Sequence, residues 1–364
     1  MNAYDYLIPL IVAFGVAALM TPLVMRLAIS VGITDRPSER SVNRRPNMPL
    51  LGGMAVGLGF SAGLAVAIRQ FEPTLPGGHL FALIVGGALL LAAGIYDDRF
   101  GMNAWSKFSV QIVAAVLAIS SGYQIDHLTE PFFRTSFILP TWLSWAVTIV
   151  WIVTITNAIN LVDGLDGLAT GVGVIIAGTL AFLAAQTGEI FGACIGVAMV
   201  GALLGFLPFN FSPARIFLGD TGALFIGFVL SLLALEGYRQ LTLLTFVVPV
   251  FALAVPILDT TLSVVRRLRA GSPIFDADRS HMHHRMLESE GSERSAVLQV
   301  YVLTAAFCSI SLAFSNLEGY MAFLFLVVVG VLTYRLVANL GALAIVKDPA
   351  ASGEASLDLI EDGS

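Results

Sequence analysis

Charge is the scarcest property of this sequence. Asp, Glu, Lys and Arg make up only 12% of its 364 residues, while 57% are hydrophobic. Soluble domains carry about 25% charge, so a soluble globular protein is excluded and an integral membrane protein is indicated. Cysteine is nearly absent. Cys194 and Cys308 each lie in an apolar run and form no Cys-x-x-Cys, which excludes a disulfide framework and a cysteine-rich metal site. The net charge of −6 says little by itself, because the acidic tail carries most of it, and no nucleic-acid partner is expected. No basic region precedes the first apolar run. Asp5 stands there instead, so this run reads as a retained membrane span and not as a cleaved signal.

The chain is rich in long apolar windows. A bilayer is crossed by about 17–25 such residues, and eleven windows qualify: 6–28, 50–69, 79–96, 104–122, 141–159, 167–186, 190–208, 220–236, 241–263, 296–315 and 318–340. The expected fold is therefore an all-α, polytopic membrane helix bundle over residues 1–346. The tail 347–364, with one lysine and five acids, is expected to be disordered. Cytoplasmic loops collect lysine and arginine. With eleven spans, sixteen of the nineteen basic residues fall on one side, and only Arg69, Arg134 and Arg239 fall on the other. This predicts a cytoplasmic C-terminus and an outside N-terminus. The chemically rich segments 35–53, 97–107, 157–169, 210–222 and 259–285 all lie on the cytoplasmic side.

The stretch NAINLVDGLDGLA, residues 157–169, sets Asn157, Asn160, Asp163 and Asp166 at a constant spacing of three, which on a helix drifts slowly round one side, and Gly164 and Gly167 then loosen the helix and bring backbone close to whatever binds. An aspartate at membrane depth costs roughly 2.5–3.5 kcal/mol, so such residues mark a site. Asp97 and Asp98 are adjacent carboxylates, suited to a divalent cation or a basic group. Lys107 and Gln111 follow, with Lys107 able to meet a lipid phosphate or to snorkel. In RIFLGDTGALFIG, residues 215–227, Asp220 lies between glycines at the start of a helix, where it reads either as a metal ligand or as an N-cap. Asp259 falls inside the ninth window. The block Asp278–Arg285 holds His281, His283 and His284, a set that suits an anionic sugar nucleotide or zinc. The loop 35–53 is rich in Pro, Arg and Gly, and its Gly52-Gly53 pair predicts close backbone packing or an anion approach.

In this order, the stretches DRPSER…PLLGG, YDDRFG…K, NAINLVDGLDGLA, FLGDTGALFIG and SPIFDADRSHMHH resemble those of the polyprenyl-phosphate N-acetylhexosamine-1-phosphate transferases (glycosyltransferase family 4). The eleven spans and the HMHH block are more similar to the WecA-type branch than to the muramoyl-pentapeptide transferases. The resemblance implies transfer of a sugar-1-phosphate, GlcNAc-1-phosphate first among candidates, from a UDP-N-acetylhexosamine to undecaprenyl phosphate. UMP would be released and a lipid-linked glycan of the cell wall or surface polysaccharide, such as O-antigen, started. It implies magnesium, with manganese as a substitute, held by Asp220. It implies Asp97, Asp98 and Asp163 as catalytic groups, and Lys107 and Arg40 at the lipid phosphate. Asn157, Asn160, Asp166, Phe217, Arg279, His281, His283 and His284 would bind the nucleotide sugar. The implied location is the bacterial inner membrane with the site on its cytoplasmic face, and a homodimer stays open. The chain departs from the family at Ser41 and Asn43, where Lys and His are common, at one inserted residue before Pro49, and at Ala223, where serine is usual.

Two rivals come from elsewhere. Another UDP-hexosamine or the phospho-MurNAc-pentapeptide could be the donor. An ion-coupled transporter could use Asp163, Asp166 and Asp259, but it would want its carboxylates near the midplane.

Overall fold

The computed structural model describes residues 3–35, 47–72, 78–129, 136–236, 250–258, 260–261 and 292–315, with isolated positions between 321 and 335. Its helices are α1 (Leu7–Ser30), α2 (Gly52–Phe71), α3 (His79–Phe100), α4 (Ala104–Ser120), α5 (Thr141–Val162), α6 (Leu168–Thr187), α7 (Ile190–Asn210), α8 (Gly219–Glu236) and α9 (Glu293–Phe314). All of these except α4 are long and apolar enough to cross a membrane, which makes eight among the described residues; α4 is a shorter apolar helix. Each coincides with one of the apolar windows, the first eight and the tenth. The ninth window is described only in part, and the eleventh only at isolated positions. The protein is a polytopic helical membrane protein. One departure from a purely helical chain is a short antiparallel ladder, β1 (His127–Thr129) with β2 (Ser136–Ile138), between α4 and α5.

α8 is the axis of the bundle. Every residue from Thr221 to Glu236 is buried, as expected for a helix that is apolar all round. α3 and α5 flank it, and the Trp151 indole N–H donates to the Ser231 carbonyl at 3.1 Å to hold α5 against α8. α1 packs on α2 and α7 through small residues. Gly59 and Gly63 of α2 sit against Ala17 and Ala13, and Gly201 and Gly205 of α7 sit against the backbone of Leu10 and Phe14. Lipid tails are as apolar as leucine, so helices in a bilayer gain by close backbone approach more than by burying apolar area.

α3 and α8 run antiparallel. At one end the His79 Nδ1 meets the Glu236 carboxylate at 2.8 Å. At the other, Asp98 meets the first residues of α8. The close approach depends on Gly94, where a Cβ would overlap the backbone of Thr221. Backbone cannot yield as a side chain tip can. Gly94→Ala is therefore expected to push α3 off α8, at a cost of about 1–3 kcal/mol or more, and to reduce activity by separating Asp97 and Asp98 from Asp220. Wild-type melting temperature and activity in the variant would refute this packing.

Candidate active site

The ends of α3, α5 and α7 and the starts of α2, α4, α6, α8 and α9 meet at one end of the bundle. Four of these termini supply the polar cluster. Asp97 and Asp98 close α3, Lys107 lies in the first turn of α4, Asn157, Asn160 and Asp163 close α5, and Asp220 opens α8.

Lys107 is the cation of the cluster. Its ammonium donates to Asp220 Oδ2 at 2.5 Å and pairs with Asp97 Oδ2. Asp220 Oδ1 accepts from Asn160 Nδ2 at 2.5 Å. Three helices therefore converge on one carboxylate. One turn from Lys107 along α4, Gln111 exchanges two hydrogen bonds with Asn157, at 2.5 and 3.3 Å, and Asn157 also donates to the Val153 carbonyl at 2.8 Å. This amide pair joins α4 to α5 and sets Lys107 and Asn160 on either side of Asp220.

The two adjacent aspartates turn different ways. Consecutive helical residues point about 100° apart. Asp97 turns to Lys107 and also accepts from the Met102 N–H at 2.5 Å. Asp98 turns to α8: its Oδ1 accepts from the Asp220 N–H at 2.9 Å, and its Oδ2 accepts from the Thr221 N–H at 3.2 Å and the Thr221 hydroxyl at 2.6 Å. Asp98 thus satisfies the orphan donors at the start of α8 from a neighbouring helix. Asp220 is thereby released from the capping role that its position allowed, and its side chain faces Lys107 and Asn160 instead.

The spacing of three in 157–169 does not continue on one helix. α5 ends at Val162, Asp163 caps it, and the chain turns through Gly164–Gly167 into α6. Gly167 takes the turn in the left-handed region, at φ +81°, which a residue with a Cβ adopts only with strain. Among the described residues the Asp163 carboxylate has no hydrogen-bond partner. Burial, and then the nearby carboxylates of Asp220, Asp98 and Asp166, push it well above the usual carboxylate range. A carboxyl so placed takes up a proton or a cation. Asp166 does something else: it is buried, and its Oδ2 accepts from the Ala214 N–H at 2.8 Å, pinning this turn to the 211–218 loop. Phe217, in that loop, is half-buried, and its backbone pairs with Pro49 and Gly52 at 2.9 and 3.1 Å. The expected close packing at Gly52-Gly53 is present, since a Cβ on Gly53 would overlap the backbone of Gly222.

Several residues of the site's frame carried no sequence signal. Thr170 donates to Asn210, and Asn210 donates to the Ile216 carbonyl at 3.1 Å. Glu293, Arg294 and Tyr301 of α9 reach the same two loops. A glutamate in the first turn of a helix is ordinary, so nothing local distinguished Glu293. Arg40, Arg279, His281, His283, His284 and Asp259 lie outside the described residues.

No three His, Cys, Asp or Glu side chains among the described residues form a ready-made metal cage. Magnesium seldom asks for one: it is bound by one or two carboxylates together with waters and substrate phosphates. Asp220 with Asp163 is an all-oxygen donor set of that kind, with Asn160 beside it, and among the described residues the carboxylates of the cluster outnumber its one lysine.

A family model described as glycosyl transferase family 4 matches residues 80–238, from the start of α3 to just beyond α8. A Bacillus subtilis protein named probable undecaprenyl-phosphate N-acetylglucosaminyl 1-phosphate transferase is 36% identical over 344 residues, which cover 93% of this chain and 94% of that one. This chain belongs to glycosyl transferase family 4. Two more members of the family show its range. The decaprenyl-phosphate N-acetylglucosaminephosphotransferase of Mycolicibacterium smegmatis is 36% identical over 302 residues, 76% of this chain and 74% of its own. A phospho-N-acetylmuramoyl-pentapeptide-transferase of Lacticaseibacillus paracasei is 32% identical over 260 residues, 67% and 79% of the two chains. The family match contains every residue of the Lys107–Asp220 cluster, and leaves out α9.

Proposed function

We propose that this protein transfers a sugar-1-phosphate, GlcNAc-1-phosphate, from a UDP-sugar to undecaprenyl phosphate in the bacterial cytoplasmic membrane, releasing UMP. The observation that carries this reading is the convergence of Lys107 and Asn160 on Asp220, with Asp97 on Lys107 and the Asp163 carboxylate nearby, at one end of a bundle of helices long enough to cross a membrane. The cluster stands at the helix ends, away from the mid-membrane position that an ion-coupled transporter needs. The names of the B. subtilis and M. smegmatis relatives, both GlcNAc-phosphate transferases, support the donor and the acceptor.

Phosphoryl transfer asks mainly for positioning and for neutralisation of negative charge. A magnesium ion, when bound, supplies much of that neutralisation on the donor diphosphate. Asp220 and Asp163 would hold it, with manganese able to substitute. Asn160 fixes the rotamer of Asp220. Lys107, held between Asp97 and Asp220, is within the cluster to meet a phosphate oxygen once substrate competes for it. Asp97 orients Lys107 and can accept the residual proton of the acceptor. That proton matters little: a phosphate monoester has a second pKa of about 6 and is mostly dianionic at neutral pH. Direct attack by the lipid phosphate on the donor therefore needs no strong base. Arg40, Arg279, His281, His283 and His284 are proposed to complete the lipid-phosphate and sugar-nucleotide sites.

The test is direct. Purified protein is incubated with undecaprenyl phosphate, magnesium and a panel of UDP-sugars, including UDP-MurNAc-pentapeptide, and UMP is measured. Release with UDP-GlcNAc supports the reading. Release with the pentapeptide donor alone moves the protein to the muramoyl reaction of its L. paracasei relative, and no release with any donor sinks the transferase assignment.

The distribution of lysine and arginine further proposes that the catalytic end faces the cytoplasm and the α4–α5 connection faces out. A cysteine at the exposed Gln124 is expected to react with a membrane-impermeant maleimide added outside spheroplasts. Labelling only after the membrane is permeabilised would invert this topology.

A further inference from the structure

α9 lies beyond the stretch matched by the family model, which ends at residue 238, yet it grips both loops of the site. One carboxylate spans the two. Glu293 Oε1 accepts from the Asp166 N–H at 3.0 Å, and Glu293 Oε2 accepts from the Ser212 hydroxyl at 3.1 Å. Arg294 Nε donates to the Ser212 carbonyl at 2.8 Å. Further along α9, the Tyr301 hydroxyl donates to the Gly167 carbonyl at 2.6 Å, and its ring covers Gly171, where a Cβ would overlap it. The turn between α5 and α6 is thus held at Asp166 by Glu293 and at the next residue by Tyr301.

The turn has little support of its own. It closes through short local bonds, Gly164 N–H to the Val162 carbonyl at 2.7 Å and Leu168 N–H to the Leu165 carbonyl at 3.0 Å. It begins with Asp163, whose carboxylate has no hydrogen-bond partner among the described residues. The 211–218 loop, fixed by the other oxygen of Glu293, leads directly into Gly219 and Asp220. The two loops are joined directly by the Asp166 Oδ2–Ala214 N–H bond, and Glu293 and Tyr301 add a second hold on them from an element that carries neither Asp163 nor Asp220.

We infer that Glu293 and Tyr301 are positioning residues of the transferase, which together set Asp163 against Asp220 by bracing the two loops. This rests on the transferase reading above. The bonds of Glu293 and Tyr301 run to the backbone and hydroxyl groups of the two loops, so their effect is on geometry and not on binding charge. A displacement of about 1 Å in such a site can cost about 100-fold in rate.

The experiment has two arms on the full-length protein in detergent. The first is hydrogen–deuterium exchange over residues 160–170, which needs no activity. Glu293→Ala is expected to speed exchange at the Asp166 amide about tenfold, the loss of one charge-assisted hydrogen bond. The second is UMP release. Glu293→Ala and the milder Tyr301→Phe are expected to lower kcat about 10- to 100-fold, with little change in KM for the UDP-sugar. Glu293→Gln, which keeps an acceptor oxygen, is expected to recover part of the lost rate. A merely structural role would lower the melting temperature and leave kcat per folded molecule at the wild-type value. Unchanged exchange overturns the brace, and faster exchange with wild-type kcat overturns the positioning role. A wild type that releases no UMP from any donor defeats the transferase reading instead, and the exchange arm still decides whether the brace exists.

Discussion

Asp220→Asn is expected to abolish sugar-1-phosphate transfer while leaving the protein folded. The amide keeps the size of the side chain and an oxygen for Asn160 Nδ2. It loses the negative charge that holds Lys107 at 2.5 Å and that a hard divalent cation requires. Removing one preorganised electrostatic group from a catalytic site typically costs about 100- to 1,000-fold in rate, and loss of a metal ligand acts through the same term. Stability should hold because Asp220 does not cap its own helix; the start of α8 is satisfied by Asp98. Lys107 also keeps Asp97 as a partner. The measurement is UMP release across a magnesium titration, paired with thermal unfolding in detergent. Retention of most activity at limiting magnesium would mean that Asp220 is not a metal ligand.

Asp98→Ala should behave differently, and the contrast separates two neighbouring aspartates that look equivalent in the sequence. The substitution removes three hydrogen bonds at once from the first residues of the central helix, leaving two N–H donors and a threonine hydroxyl without their acceptor. Loss of a helix cap costs up to about 2 kcal/mol, and loss of a buried bond to a charged group about 1.5–3 kcal/mol. A net destabilisation of about 2–3 kcal/mol and a melting temperature lower by several degrees are expected, with activity falling because Asp220 loses its fixed position. Asp97→Asn, by contrast, keeps an acceptor for the Met102 N–H and should lower activity with little change in stability. An Asp98→Ala protein as stable as wild type would return Asp98 to a role at the substrate.

The contents of the site were legible in the sequence to a large extent, because membrane burial makes polar residues conspicuous. Asp97, Lys107, Asn160, Asp163 and Asp220 stand out against apolar spans for the energetic reason that an unexplained aspartate there is costly. Roles were less legible than membership. Asp98 and Asp166 share the composition of their neighbours, but each is used to join elements: Asp98 holds α3 to α8, and Asp166 holds the α5–α6 turn to the 211–218 loop. The three-residue spacing in 157–169 suggested one helical side loosened at Gly164 and Gly167. The structure ends the helix outright at Val162, and Gly164 and the left-handed Gly167 let the chain turn.

By itself the sequence determined that the chain lives in a membrane, where its described helices begin and end to within a few residues, and which polar residues gather at their ends. These follow from local quantities: the hydrophobic length needed to cross a bilayer, and the cost of leaving charge inside it. Only the tertiary structure decided which helix is central, which aspartate caps and which faces Lys107, and that Glu293 and Tyr301 hold loops far away in the chain. Those outcomes depend on backbones meeting at Gly94 and Gly53, and on one hydrogen-bonding partner being nearer than another across helices. Distances between segments far apart in the chain leave no periodicity and no composition for a sequence to show.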